Sequence, residues 1–486
     1  MKKVLCFLLV LIICSSVLIS CNGSDTNDNN DDNNENNNEQ GINFGGTDYN
    51  VLSRQDTIYE IDNSGEGTDD KVQRKIWERN VFIKDTYNAN IAVVGTPGTY
   101  ADRASYVAKA REIIHSGDGS LDLFFAHSSY MQLMAMEGMG VELSKMPQID
   151  LGADWWCENY NDNSEMYGQN YVLVGDMGIT LYEYLEVVFF NKSLAEAYQV
   201  GDLYALVEEG KWTLDEMMRL SKVVVSDGNT QNENDRIYGL LANSHAFNSF
   251  IPSLNLRYTT KGSDGNRQFP TLPQKKMLDT FEKLSAWHLS DAVRYGLYSA
   301  TDFEESNPIF AKNGALFYTQ MLGEAEYMAA NMTGNYGVIP YPKLDEGAKY
   351  RSTTRDSITA SMIPVTSSDL NMAATVTEAL CKYGNEYIRY EYFETRLKLR
   401  YFDDYQVKAM LDIIVDGLSF EFTQIFGGAM NDRPYGSFSR ILEKNIDSPN
   451  SETLTNWWRG YYPSWRTSTF EIYNHYKKLS EQTPNT

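Results

Sequence analysis

The chain has little cysteine, little histidine and too few cations for its acids. Five Cys stand among 486 residues, at 6, 14, 21, 157 and 381. The first two fall in an apolar leader, so no disulfide framework exists. The five His, at 115, 127, 245, 288 and 475, are scattered and none forms H-E-x-x-H. Cys157 and Cys381 have no C-x-x-C partner, so no local metal motif is present. There is no G-x-S-x-G elbow. No G-x-x-x-x-G-K-[ST] loop occurs either: Gly210-Lys211-Trp212-Thr213 lacks the upstream Gly and puts Trp between Lys and Thr. No cofactor is expected. Lys and Arg number 42 against 66 Asp and Glu, a formal charge of −24. That charge argues against nucleic acid and anionic membrane surfaces as partners. Acid pairs are plentiful at this content. They become a glycosidase only when two carboxyls flank a bond at about 5–10 Å, so their number implies no enzyme.

What is present begins with a leader. Lys2 and Lys3 precede an apolar run, Val4 to Ile19, too short to be a convincing membrane span. Residues 1–20 read as a secretory signal. Leu18-Ile19-Ser20-Cys21 resembles the bacterial lipobox, which implies cleavage before Cys21 and lipidation of its thiol; an ordinary signal with a chance Cys is the alternative. Loss of Lys2 and Lys3 takes the charge from −24 to −26. Residues 21–45 form a tether, almost wholly Asn, Asp and Glu from Asn22 to Gln40. Such a composition buries no core and is expected to be disordered. As a coil it reaches roughly 25 Å. Counted from Asp25, it has Asn30 where a calcium loop needs Gly and Asn36 where it needs Glu, so it reads as a spacer.

At this length two or more lobes are expected. Tyr49–Ser53, Asn90–Val94 and Leu121–Ala126 read as strands, alternating with helices over Lys71–Tyr87 and Ala101–His115, which is α/β logic. Ligands collect at the carboxyl ends of such strands. That makes His127, Ser128, Ser129 and Tyr130 candidates, with an ordinary polar loop as the alternative. Trp155 and Trp156 are either ligand faces or packing. Tyr171–Val174 reads as a strand, followed by the turn Gly175-Asp176-Met177-Gly178. Leu185–Phe190 is a buried strand, and Thr213 opens a helix with Glu216 completing a capping box. Further on, Ile237–Leu241 and the strand after Gly314 are expected, then Tyr336–Pro342 and Ser357–Pro364. Arg389–Val415 reads as mostly helical. Trp457, Trp458, Tyr461, Tyr462 and Trp465 crowd a stretch before a helical tail, more as packing than as a sugar platform.

Six segments in order carry a resemblance. They are LDLFFAHSS, the segment from Leu143 through Trp156, YVLVGD, EVVFFNKSL with GKWTLDEMM, FAKNGALFYTQM, and YGVIPYP with DSITASMIPVTS. Together they resemble bacterial ABC-transporter extracellular solute-binding lipoproteins of family 1, the maltose-binding-protein-like class, from about Tyr49 onward. The resemblance implies an α/β, two-lobed, periplasmic-binding-protein-like fold (type II) with a hinge and an interlobe cleft. Lobe 1 would be 46–175 plus 356–416, and lobe 2 would be 176–355 plus 417–486. Crossings are expected near 171–178, 355–359 and 416–423. The ligand positions it implies are His127, Ser128, Ser129, Asp176, Thr319, Gln320, Asp356 and Ser357, hydrogen-bonding solute hydroxyls. Ser128-Ser129 stand where maltose receptors carry charged contacts, and the Thr319 loop has no Trp, which puts maltodextrin itself in doubt.

The expected function is a receptor on the outer face of the cell membrane, anchored through lipidated Cys21. It would be a monomer that closes on a small solute, an oligosaccharide, and hands it to ABC permease subunits. The alternatives are a binding lipoprotein of the same fold for a peptide, a sensor, or a surface glycan-degrading enzyme.

Overall fold

The computed structural model describes residues 41–225, 236–296, 300–402 and 404–482. The leader, Cys21, the tether to residue 40 and positions 297–299 lie outside the described residues. Eleven strands are described: β1 (Thr47–Arg54), β2 (Ala89–Thr96), β3 (Leu123–His127), β4 (Glu186–Asn191), β5 (Tyr238–Asn243), β6 (Thr260–Lys261), β7 (Arg267–Gln268), β8 (Val293–Gly296), β9 (Ala315–Met321), β10 (Tyr336–Ile339) and β11 (Thr359–Met362). They form two main sheets and a small antiparallel β6–β7 ribbon. The first sheet has the order β11-β3-β1-β2 and the second β10-β4-β9-β5-β8.

β1 lies parallel to both β2 and β3, while β11 returns antiparallel beside β3. In the second sheet β5 is parallel to β8 and β9, and β4 runs antiparallel to both β9 and β10. β3 and β4 are buried along their whole length. Strands covered on both faces carry continuous apolar runs, and LFFAH, with one polar end, and EVVFFN, polar at both ends, fit that rule.

Helices begin where short polar side chains satisfy orphan N–H groups. Asp70 accepts from the Gln73 N–H at 3.0 Å and opens Lys71–Tyr87. Asn191 accepts from Leu194 at 2.9 Å and turns β4 into the helix Lys192–Ala197. Thr213 caps Leu214–Val223 by accepting from Glu216 N–H at 3.3 Å. The reciprocal half of the expected capping box is not made. Glu216 pairs with Arg219 instead, at 2.8 and 2.6 Å, because a guanidinium one turn on is a stronger partner than a lone backbone N–H.

Two other expectations change, while Arg389–Val415 is mostly helical as expected. Tyr171–Val174 forms no ladder; Leu173 makes an isolated bridge to Ser361, and Gly175 one to Trp156. The aromatic stretch from Trp457 to Trp465 does not precede the last helix but lies inside it, Leu454–Gln482. Its rings pack: Trp458 and Trp465 are fully buried and meet edge to face at 5.2 Å. The helix from Leu370 widens into π-type turns over Gly384–Tyr401 and stops before a second helix, Val407–Asp416. Gly384 is needed there, since a Cβ would stand 1.9 Å from the Asp176 carbonyl oxygen.

The three expected crossing segments lie side by side. Leu173 bridges Ser361, Leu185 bridges Thr354, and Ser352 bridges Leu418. Helix Val407–Asp416 packs against β10 of the second sheet. The last helix touches Ser128–Met136 beside the first sheet and Lys275–His288 beside the second. The result is a two-lobed α/β fold, one sheet to a lobe.

Candidate functional site

β1, β2 and β3 run parallel, so their carboxyl ends share one edge of the first sheet. Arg54 ends β1, Tyr100 follows β2, and His127 ends β3. His127 is the N-cap of Ser128–Met136: its Nδ1 accepts from the Ser129 N–H at 3.2 Å and lies 2.9 Å from the Ser129 hydroxyl. Burial is the main cause that pushes the His127 pKa down to about 3; Asp356 opposes, and Arg54 and Arg433 add to the fall. The ring is therefore a neutral acceptor or donor at physiological pH. It stacks on Tyr130 at 5.3 Å, and the Tyr130 hydroxyl donates to the Gly98 carbonyl at 2.8 Å.

The segment 352–358 joins the two lobes at this edge. Ser128 N–H donates to the Ile358 carbonyl at 2.9 Å, and its hydroxyl donates to the Asp356 carbonyl at 2.8 Å. On the other side, Arg355 Nε donates to Glu186 at 2.8 Å and an Arg355 terminal nitrogen donates to Gln320 at 2.9 Å. Gln320 in turn donates to the Tyr318 hydroxyl at 2.9 Å. Thr319 bonds the Leu241 carbonyl at 3.3 Å. Six of the eight positions expected from the sequence thus gather along one segment: His127, Ser128 and Ser129 on one flank, Asp356 and Ser357 in the middle, Gln320 on the other, while Thr319 is turned to the Leu241 carbonyl within the second sheet.

Asp176 is held elsewhere. Its carboxylate takes the Tyr182 hydroxyl and the Asn385 amide at 2.6 Å, with Arg389 at 3.7 Å. Burial raises its pKa, against the pull of Arg389. It lines a cavity of about 650 Å³ with Trp156, Cys157, Arg389 and Asp416. Trp155 and Trp156 both donate their indole N–H to Glu378, at 2.8 and 2.9 Å, which gives them a packing role.

Five contributors were not among the expected positions. Glu186 is an acid at the start of an otherwise apolar strand, and Arg355 precedes Asp356. Arg54 obeys the same strand-end rule that pointed to His127. Tyr100 and Arg433 come together only in three dimensions. Arg433 bonds Asp356, and its guanidinium lies 4.2 Å over the Tyr100 ring. Asp432 and Arg433 both have positive φ, 59° and 30°. Non-glycine residues are held there only where surroundings compensate. Here Arg440 does so, donating to the carbonyls of Asp432 at 2.9 Å, of Arg433, and of Gly436 at 3.1 Å. Beside this loop, Gly428 touches the first lobe so closely that a Cβ would sit 1.9 Å from the Ser129 carbonyl oxygen.

Polar capacity is left over in this interior. Glu186 Oε2, Thr354 Oγ1 and Ser352 Oγ are buried without a hydrogen-bond partner. Native interiors rarely leave such atoms unpaired, so they mark where further donors and acceptors fit. Among the described residues no group of three or more His, Cys, Asp or Glu is placed to hold a metal ion.

No family model matches the chain, and no curated protein matches it in sequence. Solved structures do match. The extracellular solute-binding protein from Staphylococcus aureus in complex with maltose aligns with 89% of this chain and 98% of its own, at TM-score 0.56 and 13% identity. UspC of M. tuberculosis aligns with 87% of this chain and all of its own, at 0.54 and 14%. A cyclo/maltodextrin-binding protein complexed with maltotetraose aligns with 90% and 98%, at 0.53 and 13%. The chain shares the two-lobed α/β fold of these three proteins.

Proposed function

We propose that this chain is a receptor that closes its two lobes on an oligosaccharide and passes it to an ABC importer, held at the outer face of the cell membrane by lipid on Cys21. One observation carries the binding reading. Polar side chains from both lobes converge on segment 352–358, and three buried oxygens there, on Glu186, Thr354 and Ser352, lack partners. Sugar hydroxyls both donate and accept, so they suit such a lining. The structural neighbours support the solute class, since they include proteins in complex with maltose and maltotetraose. The importer and the anchor rest on the resemblance of the sequence segments and of Leu18–Cys21. Among the described residues no helix is long and apolar enough to cross a membrane.

His127, Ser128, Asp356 and Gln320 supply hydrogen bonds in this reading, and Glu186 the strongest acceptor. Closure follows if the solute touches both flanks, because it then binds the closed arrangement better than the open one. No chemical step is involved. Thermal unfolding of the full chain against a panel of oligosaccharides, monosaccharides and peptides tests this. A ligand at 100 times its dissociation constant adds about 2.7 kcal/mol. Stabilisation by one glycan class, with the glycan recovered intact, is the expected result. Stabilisation by peptides alone would remove the sugar assignment, and a consumed glycan would make the chain an enzyme. Mass analysis of the mature N-terminus, with Cys21→Ser as control, tests the anchor.

A further inference from the structure

The Arg54 side chain is 1% exposed, yet its charge is poorly answered. Its Nε donates to the Thr57 hydroxyl at 2.8 Å, and the nearest carboxylate oxygen, on Asp56, is 3.7 Å from that nitrogen. Its two terminal amino groups hold no hydrogen bond among the described residues. Idle guanidinium donors are free to take a ligand, and a planar fork of this kind matches a carboxylate two bonds at a time.

Two more guanidiniums stand at the same strand ends. Arg103 lies 4.3 Å over the Tyr100 ring, and Arg433 lies 4.2 Å over it. Three guanidiniums are thus answered within ion-pair distance by two carboxylates, Asp56 and Asp356. Of the other acids nearby, Asp102 accepts the Thr99 hydroxyl at 2.7 Å. Glu60 is taken by Thr180 N–H at 2.7 Å and by the Thr359 hydroxyl. In a chain of formal charge −24, three guanidiniums gathered at one strand-end edge, beside acids of which Asp102 and Glu60 are already engaged by hydroxyl and amide donors, are what this edge offers an anion.

We propose that the solute is an acidic oligosaccharide whose ring carboxylate is gripped by the idle donors of Arg54, with Arg433 and Arg103 completing the cationic wall. The inference rests on the receptor reading above and narrows its substrate class. The long-range field of the acidic chain opposes such a ligand, so the preference must come from short-range pairing.

Titration calorimetry of the full chain decides it, using a galacturonic acid trimer, the methyl ester of the same trimer, maltotetraose and a mixed tripeptide set. The acid is expected to bind about tenfold tighter than its ester, or more, as charge-assisted bidentate pairs do. That ratio should fall to near one in Arg54→Gln and recover in part in Arg54→Lys. Should Arg54→Gln not fold, Arg433→Gln, at a half-buried position, must narrow the same ratio. Ester or maltotetraose bound as tightly as the acid would overturn this inference and leave the sugar receptor standing. Peptides bound with no glycan bound would overturn both.

Discussion

Two regions of this molecule compete for the role of binding site, and they differ in kind. Around Asp176 there is an open, roomy, acidic cavity of about 650 Å³ whose buried carboxylate is already satisfied by Tyr182, Asn385 and Arg389. Along segment 352–358 the side chains come from distant parts of the chain and several of their polar atoms are idle. A roomy cavity and acid content point to the first region; unmet hydrogen-bonding capacity points to the second. The difference teaches that a cavity whose one buried carboxylate is already paired offers a ligand less there, whereas unpaired buried groups gain from one.

The strongest way to break the comparison is at the buried pair. Arg355→Ala leaves Glu186 charged and alone at 1% exposure. The expected loss is about 3–5 kcal/mol in denaturant titrations, and a loss below 1 kcal/mol would mean that the two regions do not differ in this way. A pH series comes next. Burial, ahead of its bond from Tyr59 and its attraction to Arg396, raises the Glu183 pKa to about 7. The folded state therefore holds this proton more tightly than the unfolded chain. Stability should be fullest below about 4.5, the unfolded value, and fall as pH rises to about 7, by up to roughly 3 kcal/mol. Glu183→Gln should flatten that slope in a urea series; an unchanged slope would reject the assignment.

Smaller effects sharpen the contrast. Gly428→Ala drives a Cβ into the Ser129 carbonyl and should cost about 1–3 kcal/mol while weakening ligand affinity, since the return loop must back away from the first lobe. Asp176→Asn should cost about 1–2 kcal/mol through its bonds to Tyr182 and Asn385, with ligand affinity preserved. Lost affinity in that variant would return Asp176 to the site. Last, Thr213→Ala should remove about 1 kcal/mol by uncapping its helix, read as a melting shift with no change in binding.

Much of the fold was legible because it rests on local rules. LDLFFA and EVVFF announce strands buried on both faces, and Asp70, Asn191 and Thr213 announce helix starts. The helix Lys71–Tyr87 ends where expected and most other ends differ by one or two residues, while the strand from Tyr336 stops at Ile339, three residues before Pro342. Tyr171–Val174 misled because its pattern is that of a strand while its partner offers a single bridge at Ser361. The site was half legible. The strand-end rule pointed to His127 to Ser129, and the resemblance to Thr319, Gln320, Asp356 and Ser357. Arg433 carried no signal: its place depends on two left-handed residues and on Arg440 holding three carbonyls, a geometry that no local pattern encodes.

The final helix has a mechanical consequence. Leu454–Gln482 is about 43 Å long at the usual rise per residue. One end is fixed to the second lobe, where Trp458 donates to the Pro270 carbonyl at 2.9 Å; nearer the other end, Tyr476 bonds Gln132 in the first. It therefore works as a torsion bar laid across the joint. Opening the lobes must either twist this bar or shear its attachments, so part of the stiffness of the joint resides in this helix. Cutting the Tyr476–Gln132 attachment would loosen the joint without altering a single ligand contact.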